Sequence, residues 1–429
     1  MNTYRNQFIY QVFVRNYSEE GTLNALTKDL DRIKALGADI LYLLPIHPIG
    51  IKERKGIYGS PYAIRDYKGI SEDLGTLDDF KRLVKETHDR GMKLMLDVVY
   101  HHTAPDHPWV KEHPEFYHWK DGHLTNKIGD WTDIADFEFE NNPKLLELLT
   151  DALLYWISLG VDGFRFDVAP MIPEAFYQYA FPKLKSANPN LITLAESVDP
   201  WFLSFLRYEG YTCLSDAEVY KYFDLEYDYD NQEKFLGYLK GECSLEELRN
   251  RYRLQEIIYP KHYVKARNVE NHDNARIRFY TQSYDKTLNW IGYCFFAKGI
   301  AFLHFGVETG TDHLPRLFEK DPVDWTKLDP EMVKWIQGLA KMKKDPIFAQ
   351  DDHYKIVSHP KDVLHFEYEN QDEIRVGIFN VGDETGVINV KLPEGIYTHC
   401  ITKEAVEVRH GVIPLAKRPI IFSIPKSVK

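Results

Sequence analysis

Residues 142–170 read NPKLLELLTDALLYWISLGVDGFRFDVAP: a helical pattern, a break at glycine, then a short apolar strand that runs out at an aspartate. The same unit precedes it twice. LDDFKRLVKETHDRGMKLMLDVVYHH (77–102) gives a helix, a stop at Gly91 and a strand. TLNALTKDLDRIKALG (22–37) places Leu23, Leu26, Leu30, Ile33 and Leu36 at helical spacing, ends in Gly37 and leads into the strand DILYLLP. FIYQVF (8–13) is the first strand, LITLAES (191–197) the fifth, VKARNVENHD (264–273) the seventh and GIAFLHFGVE (299–308) the eighth; the sixth is weakly marked and is placed near Tyr211 to Asp216. Strands alternating with helices predict a parallel sheet, and eight of them predict a TIM (β/α)8 barrel whose active site gathers at the C-terminal ends of the strands.

Between residues 101 and 136 the alternation breaks into His, Pro, Trp and Asp with no helical or strand period, too long for an ordinary strand-to-helix loop. A small lobe after the third strand is expected there. Beyond about residue 350, VLHFEYE, EIRVGIFNV, VINVKL, GIYTHCI and RPIIFSI are short alternating strands divided by turn residues, a separate all-β unit. The expected organisation is an α/β chain: a catalytic (β/α)8 barrel over 1–100 and 137–350, an inserted lobe over 101–136, and a C-terminal β-sandwich over 351–429. The 429 residues leave room for such an appendage beyond the roughly 250 of a barrel alone.

The formal charge is −12, and Lys and Arg are scattered rather than gathered in runs that track a phosphate backbone, so nucleic acid is not an expected partner. No stretch reaches the roughly 18 apolar residues of a membrane span, and MNTYRNQFIYQVFVRN lacks the features of an export signal, which predicts a soluble cytoplasmic chain. Cys213, Cys243, Cys294 and Cys400 lie far apart with no C-x-x-C, the pattern of reduced thiols rather than of a disulfide frame or zinc ribbon.

Asp167 in GFRFDVAP, Glu196 in TLAES and Asp273 in VENHD stand where predicted strands run out, so all three reach one mouth of the barrel. A single acid at such a junction often only caps the next helix; three at one mouth point to chemistry. Glycosidic cleavage uses this set: a carboxylate that attacks the anomeric carbon, a protonated carboxyl that releases the leaving oxygen, and negative charge near an oxocarbenium-like transition state. Retention of configuration needs the first two about 5–5.5 Å apart. Arg165, two residues before Asp167, shares its strand face and is placed to keep it ionised and oriented. Glu196 sits between an apolar run and Asp167's charge, both of which raise a carboxyl pKa. An aromatic content of 14% suits stacking on sugar faces.

DVVYHHT (97–103), GFRFDVAP (163–170), TLAES (193–197) and VENHD (269–273), in this order and at these strand ends, resemble the four conserved stretches of the α-amylase superfamily, glycoside hydrolase family thirteen. The resemblance covers nearly the whole chain. It implies that Asp167 is the nucleophile, Glu196 the general acid/base and Asp273 the transition-state stabiliser. Asp97, His102, Arg165 and His272 would surround the cleaved sugar, and Tyr62 of YGSPYAIRDY would stack on it. TDIADFEFENNP resembles the fifth motif, near the end of the lobe, and FGVE the motif after the last strand. The resemblance implies an α-glucan or malto-oligosaccharide substrate and no cofactor.

Three departures bear on that expectation. Many α-amylases carry a calcium-binding Asn where this chain has His101; calcium prefers oxygen ligands, so no essential calcium is expected. HHTAPDHPWVKEHPEFYHWKDGH (101–123) holds six histidines but no H-E-x-x-H and no tight pair with a carboxylate, so no metal is expected there, and Trp109, Trp119 and Trp131 are read as lining the cleft. Pro170 and Met171 replace a Lys-His pair that seats the leaving part of the chain, and Val168 resembles oligo-1,6-glucosidases and the cyclomaltodextrinase and neopullulanase group. Linkage preference and the choice of water or a sugar as acceptor stay open at this point.

Overall fold

The computed structural model describes residues 3–350 and 353–426; residues 1–2 of the expected barrel, and 351–352 and 427–429 of the expected C-terminal unit, lie outside the described residues. Eight parallel strands close a barrel in sequence order: Phe8–Val12, Ile40–Leu43, Lys93–Val98, Gly163–Phe166, Ile192–Ala195, Leu225–Tyr227, Lys265–Arg267 and Ile300–His304. The first strand closes the ring on the last, with Phe8 opposite Ala301, and pairs on its other side with the second, Ile9 opposite Ile40. Strands covered on both faces read as continuous apolar runs, and inward residues such as Ile9, Tyr42, Met95, Leu194 and Phe302 fill the barrel as a packed core.

The sixth strand departs from the sequence reading. Residues 211–215 lead instead into a short helix, Asp216–Val219, started by a capping box between Ser215 and Glu218. The actual strand, Leu225–Tyr227, is hidden from an apolar-run reading because Glu226 stands at its centre, fully buried, with Oε2 2.8 Å from Lys265 Nζ. Residues 22–37, read as one helix, form two, Leu23–Lys28 and Leu30–Leu36. At the break the Asp29 carboxylate accepts from Tyr17 Oη and, at 2.8 Å, from Arg32 Nε, a side-chain alternative to continuing the helix. Gly37 closes the second helix at φ 98°, a conformation that only glycine adopts cheaply.

The lobe is stitched to the barrel mouth by an antiparallel pair, His102–Thr103 with Ala135–Asp136, in which His102 stands opposite Asp136. Trp109 packs inside the lobe against Tyr67, His107 and Phe116, and Trp119 lies on an exposed hairpin. Of the three tryptophans expected at the cleft, Trp131 reaches it.

The C-terminal unit is a four-stranded antiparallel sheet, in the order Tyr354–Val357, Leu364–Glu369, Glu373–Phe379 and Ile420–Pro425, with two further strand pairs. Val376, Ile378, Phe422 and Ile424 on one face meet Ile388, Val406, Val408 and Ile413 of those pairs. Leu364, Phe366, Tyr368 and Phe379 join the barrel's outer core. Gly377 makes that seam possible: a Cβ there would stand 2.8 Å from the Phe296 ring. Among the described residues, no helix is long and apolar enough to cross a membrane.

Candidate active site

Strand register assembles the site. Asp97 on the third strand stands opposite Arg165 on the fourth, and Phe166 opposite Ala195 on the fifth, which brings Asp167 and Glu196 out together at the next position. The fully buried Arg165 then binds all three acids: Nη1 donates to Asp97 Oδ1 at 2.8 Å and to Asp167 Oδ1 at 3.0 Å, and Nη2 stands 2.8 Å from Glu196 Oε1. Burial works against the guanidinium's charge, but Asp97 and Glu196 outweigh it and hold Arg165 well above its ordinary pKa.

The two acids at the mouth differ. Burial pushes Glu196 well above the usual carboxylate range, against the pull of Arg165, and the charges of Asp167 and Asp273 push it further. Burial also raises Asp167, but Arg165 opposes this through both charge and a hydrogen bond, and a further hydrogen bond to Glu196 favours the ionised aspartate. Both carboxyls are raised, Glu196 well above its ordinary value, which favours Glu196 as the member of the pair that holds the proton. Glu196 Oε2 also accepts from the Val168 amide at 2.6 Å. To deliver that amide, Val168 adopts φ 38° and ψ 47°, a left-handed conformation that costs a β-branched residue on the order of 1–3 kcal/mol.

A second chain of hydrogen bonds fixes the aromatic wall. Asp97 Oδ2 accepts from Tyr42 Oη at 2.6 Å and from Tyr62 Oη at 3.0 Å, and burial lifts its carboxyl to about 6 despite Arg165. His272 Nδ1 faces the Gln11 amide nitrogen at 3.1 Å and so accepts; His272 Nε2 therefore carries the proton toward Tyr62 Oη at 2.6 Å. Burial lowers the His272 pKa and keeps the ring neutral, stacked on Tyr62 with centroids 5.4 Å apart. Asp273 Oδ2 accepts from Tyr229 Oη at 2.6 Å, and Oδ1 lies 3.3 Å from His272 Nε2. His102 is buried at the lobe's entry, and its pKa is lowered by burial.

All the residues nominated from the sequence meet here. Tyr62, His102, Asp167, Glu196, His272 and Asp273 border a cavity of about 220 Å3, and Asp97 and Arg165 support the acids from within the barrel. Sequence reasoning passed over Gln11, Tyr42 and Tyr229. The first two are lone polar groups inside apolar strands, and that oddity, near the C-terminal end of a barrel strand, was the available signal.

An acid pair at the C-terminal mouth of such a barrel is the equipment of glycosidic-bond chemistry, and the class is that of the (β/α)8 glycoside hydrolases. The family model for the alpha amylase catalytic domain matches residues 7–353, and that for the bacterial alpha amylase C-terminal domain matches residues 355–422. The chain belongs to the alpha-amylase family. Its fold superposes on an alpha-amylase from Lactobacillus plantarum with a TM-score of 0.95 at 39% identity, covering 99% of this chain and 100% of that one. The maltogenic alpha-amylase AmyB from Thermotoga neapolitana gives a TM-score of 0.87 at 29% identity, over 99% and 100% of the two chains. Alpha-amylase MalA of Haloarcula japonica is 26% identical over 407 residues, 90% of this chain but only 57% of that protein. An alpha-1,4-glucan:maltose-1-phosphate maltosyltransferase of Cereibacter sphaeroides is 33% identical over 266 residues, 56% of this chain and 38% of that protein.

Proposed function

We propose that this chain is a retaining α-glucan hydrolase that cuts α-1,4-glucosidic bonds in starch-derived glucans or malto-oligosaccharides through a covalent glucosyl-enzyme intermediate. Asp167 attacks the anomeric carbon as Glu196 gives its proton to the departing glycosidic oxygen; Glu196, now ionised, takes a proton from the water that frees the sugar from Asp167. Asp273 and His272 bind hydroxyls of the distorted ring, His102 and Asp97 complete that shell, Arg165 keeps Asp167 charged and Tyr62 lies under the ring. The observation that carries this reading is the geometry of the acid pair: Asp167 and Glu196 follow paired residues at the ends of adjacent strands, share the Arg165 guanidinium and border one cavity.

A cavity of about 220 Å3 is smaller than the roughly 300–1,000 Å3 of drug-sized ligand sites, which suits one enclosed ring with the rest of the chain outside. Trp131, Phe202 and Phe205 follow one another outward from it, with centroids 6.2 and 6.5 Å apart, an apolar ridge on which further glucose units can stack. A second reading, transfer of the glycosyl unit to a sugar or phosphate, draws on the similarity to maltosyltransferases. The test is incubation with maltoheptaose, isomaltose, sucrose and soluble starch, with product lengths and the first-formed anomer read by NMR. Short maltose-series products released as the α-anomer support the proposal; a β-anomer overturns retention, longer products favour transfer, and turnover of isomaltose alone favours an α-1,6 specificity.

A further inference from the structure

A second cluster lies where the lobe leaves the barrel. His101 Nδ1 is 3.3 Å from His102 Nδ1 and 3.4 Å from Asp136 Oδ1, and one ligand atom from each of the three residues lies within 4.8 Å of the others. Strand pairing causes this, since His102 faces Asp136 across the ladder and His101 precedes it. All three side chains are buried.

Hydrogen bonding does not account for the arrangement. A ring nitrogen carries at most one hydrogen, so His101 Nδ1 can donate to at most one of the two atoms it faces. Asp136 Oδ2 accepts from the Lys127 amide at 2.5 Å, but Oδ1, wholly buried and directed at His101, has no hydrogen-bond partner. A buried carboxylate oxygen left this way is costly.

We propose that His101, His102 and Asp136 bind a transition-metal ion, with zinc as the best fit. The calcium that the superfamily leads one to look for here does not fit, because calcium gathers six to eight oxygens and this cluster offers two imidazole nitrogens. Zinc takes imidazole and carboxylate donors at about 2.0–2.1 Å in a tetrahedron, whose edges are then about 3.3 Å. Two of the three edges here are 3.3 and 3.4 Å, and the third lies within 4.8 Å, so a bound ion would draw His102 and Asp136 together and leave a fourth position for water. The Lys127 ammonium stands nearby, turned to the Phe137 carbonyl at 3.3 Å, and its charge weakens binding without filling the site. A histidine-by-histidine reading of residues 101–123 missed this cluster because its carboxylate comes from beyond that stretch. Bound metal would lock the two ends of the lobe together and hold His102 by Nδ1, which makes it a positioning device for a residue that borders the cleft.

The test uses full-length protein made without a histidine tag, stripped with a chelator and titrated with Zn2+ or Co2+. The expected result is one zinc per chain by elemental analysis, the visible absorption of tetrahedral Co2+, and a melting temperature raised by a few degrees that Ca2+ and Mg2+ do not reproduce. Asp136→Ala and His101→Ala should each lose the bound metal, whereas His113→Ala in the lobe and His359→Ala at the other histidine pair should keep it. If either of the first two variants misfolds, the wild-type titration decides. Wild-type protein that takes up no stoichiometric zinc and gives no cobalt band, or zinc retained in both variants, overturns the proposal.

Discussion

Arg165 on the fourth strand and Lys265 on the seventh are both fully buried cations with three acids in reach. For Arg165 these are Asp97, Asp167 and Glu196; for Lys265 they are Asp216 at 3.3 Å, Glu226 at 2.8 Å and Asp230 at 3.1 Å. Burial raises carboxyls in both groups, Asp216 to about 6 and Glu226 well above its ordinary value. A displaced pKa therefore does not separate them. Closure does. Tyr259 donates to Asp216 at 3.1 Å, Gln255 to Asp230 at 2.9 Å, and the Tyr227 carbonyl accepts from Lys265 at 3.2 Å, so the second group is walled in by its neighbours, even though Asp216 Oδ1 and Glu226 Oε1 are buried there without a hydrogen-bond partner. Asp167 and Glu196 instead turn toward a cavity where a reacting carbon can sit. The lesson is that an active site in this barrel is a buried charge cluster left open on one side.

Breaking each cluster should have opposite consequences. Asp167→Ala and Glu196→Gln are expected to lower kcat by about 10⁴–10⁶, measured on maltoheptaose, with no loss of folding. Glu196→Gln should in fact melt higher than wild type at neutral pH. A carboxyl whose folded pKa is raised supports folding fully below its ordinary value of 4.5 and loses that support as pH climbs toward the folded value; the amide removes this loss. Lys265→Met leaves three buried acids without their cation, and urea unfolding should show a loss of about 3–5 kcal/mol, while kcat per folded molecule stays close to wild type. A Lys265→Met protein that is stable but inactive would erase the distinction between the two groups.

Smaller effects sharpen it. The profile of kcat/KM against pH should be bell-shaped, its acid limb reporting protonation of the Asp167 and Glu196 pair and its basic limb lying well above ordinary carboxylates, because burial and Asp167 hold the proton on Glu196. Loss of activity on the basic side at ordinary carboxylate pH would remove Glu196 as the proton donor. Tyr229→Phe takes one hydrogen bond from Asp273, and should cost about 10-fold in kcat/KM, the size of a bond worth roughly 1–1.5 kcal/mol, with the melt unchanged.

What the sequence displayed and what it concealed follow the same division. Asp167, Glu196 and Asp273 were legible because an acid ending an apolar strand can be seen from spacing alone, and Arg165 because it shares Asp167's strand face; Tyr62, Asp97, His102 and His272 came only from the resemblance to the α-amylase motifs. Gln11 and Tyr42 were not legible, since each sits within an apolar run and its partner comes from a distant part of the chain. The sixth strand was misplaced for the converse reason: Glu226 looks like surface until Lys265, from the neighbouring strand, neutralises it. The single helix read over residues 22–37 failed at Asp29, whose partners Tyr17 and Arg32 are close in sequence but reveal nothing by periodicity. Trp109 and Trp119 lie in the same lobe as Trp131 and were read alike, yet the lobe folds Trp109 inward and leaves Trp119 on an exposed hairpin.

The central claim is that Asp167 bonds to the sugar while Glu196 handles the proton. The most direct test is mass spectrometry of the Glu196→Gln variant mixed with α-maltosyl fluoride, whose leaving group needs no acid and whose adduct then lacks a base to hydrolyse it. The account predicts a chain heavier by one maltosyl unit, carried on the peptide GFRFDVAP at Asp167. Fluoride release with no adduct, or an adduct on any other residue, would contradict it.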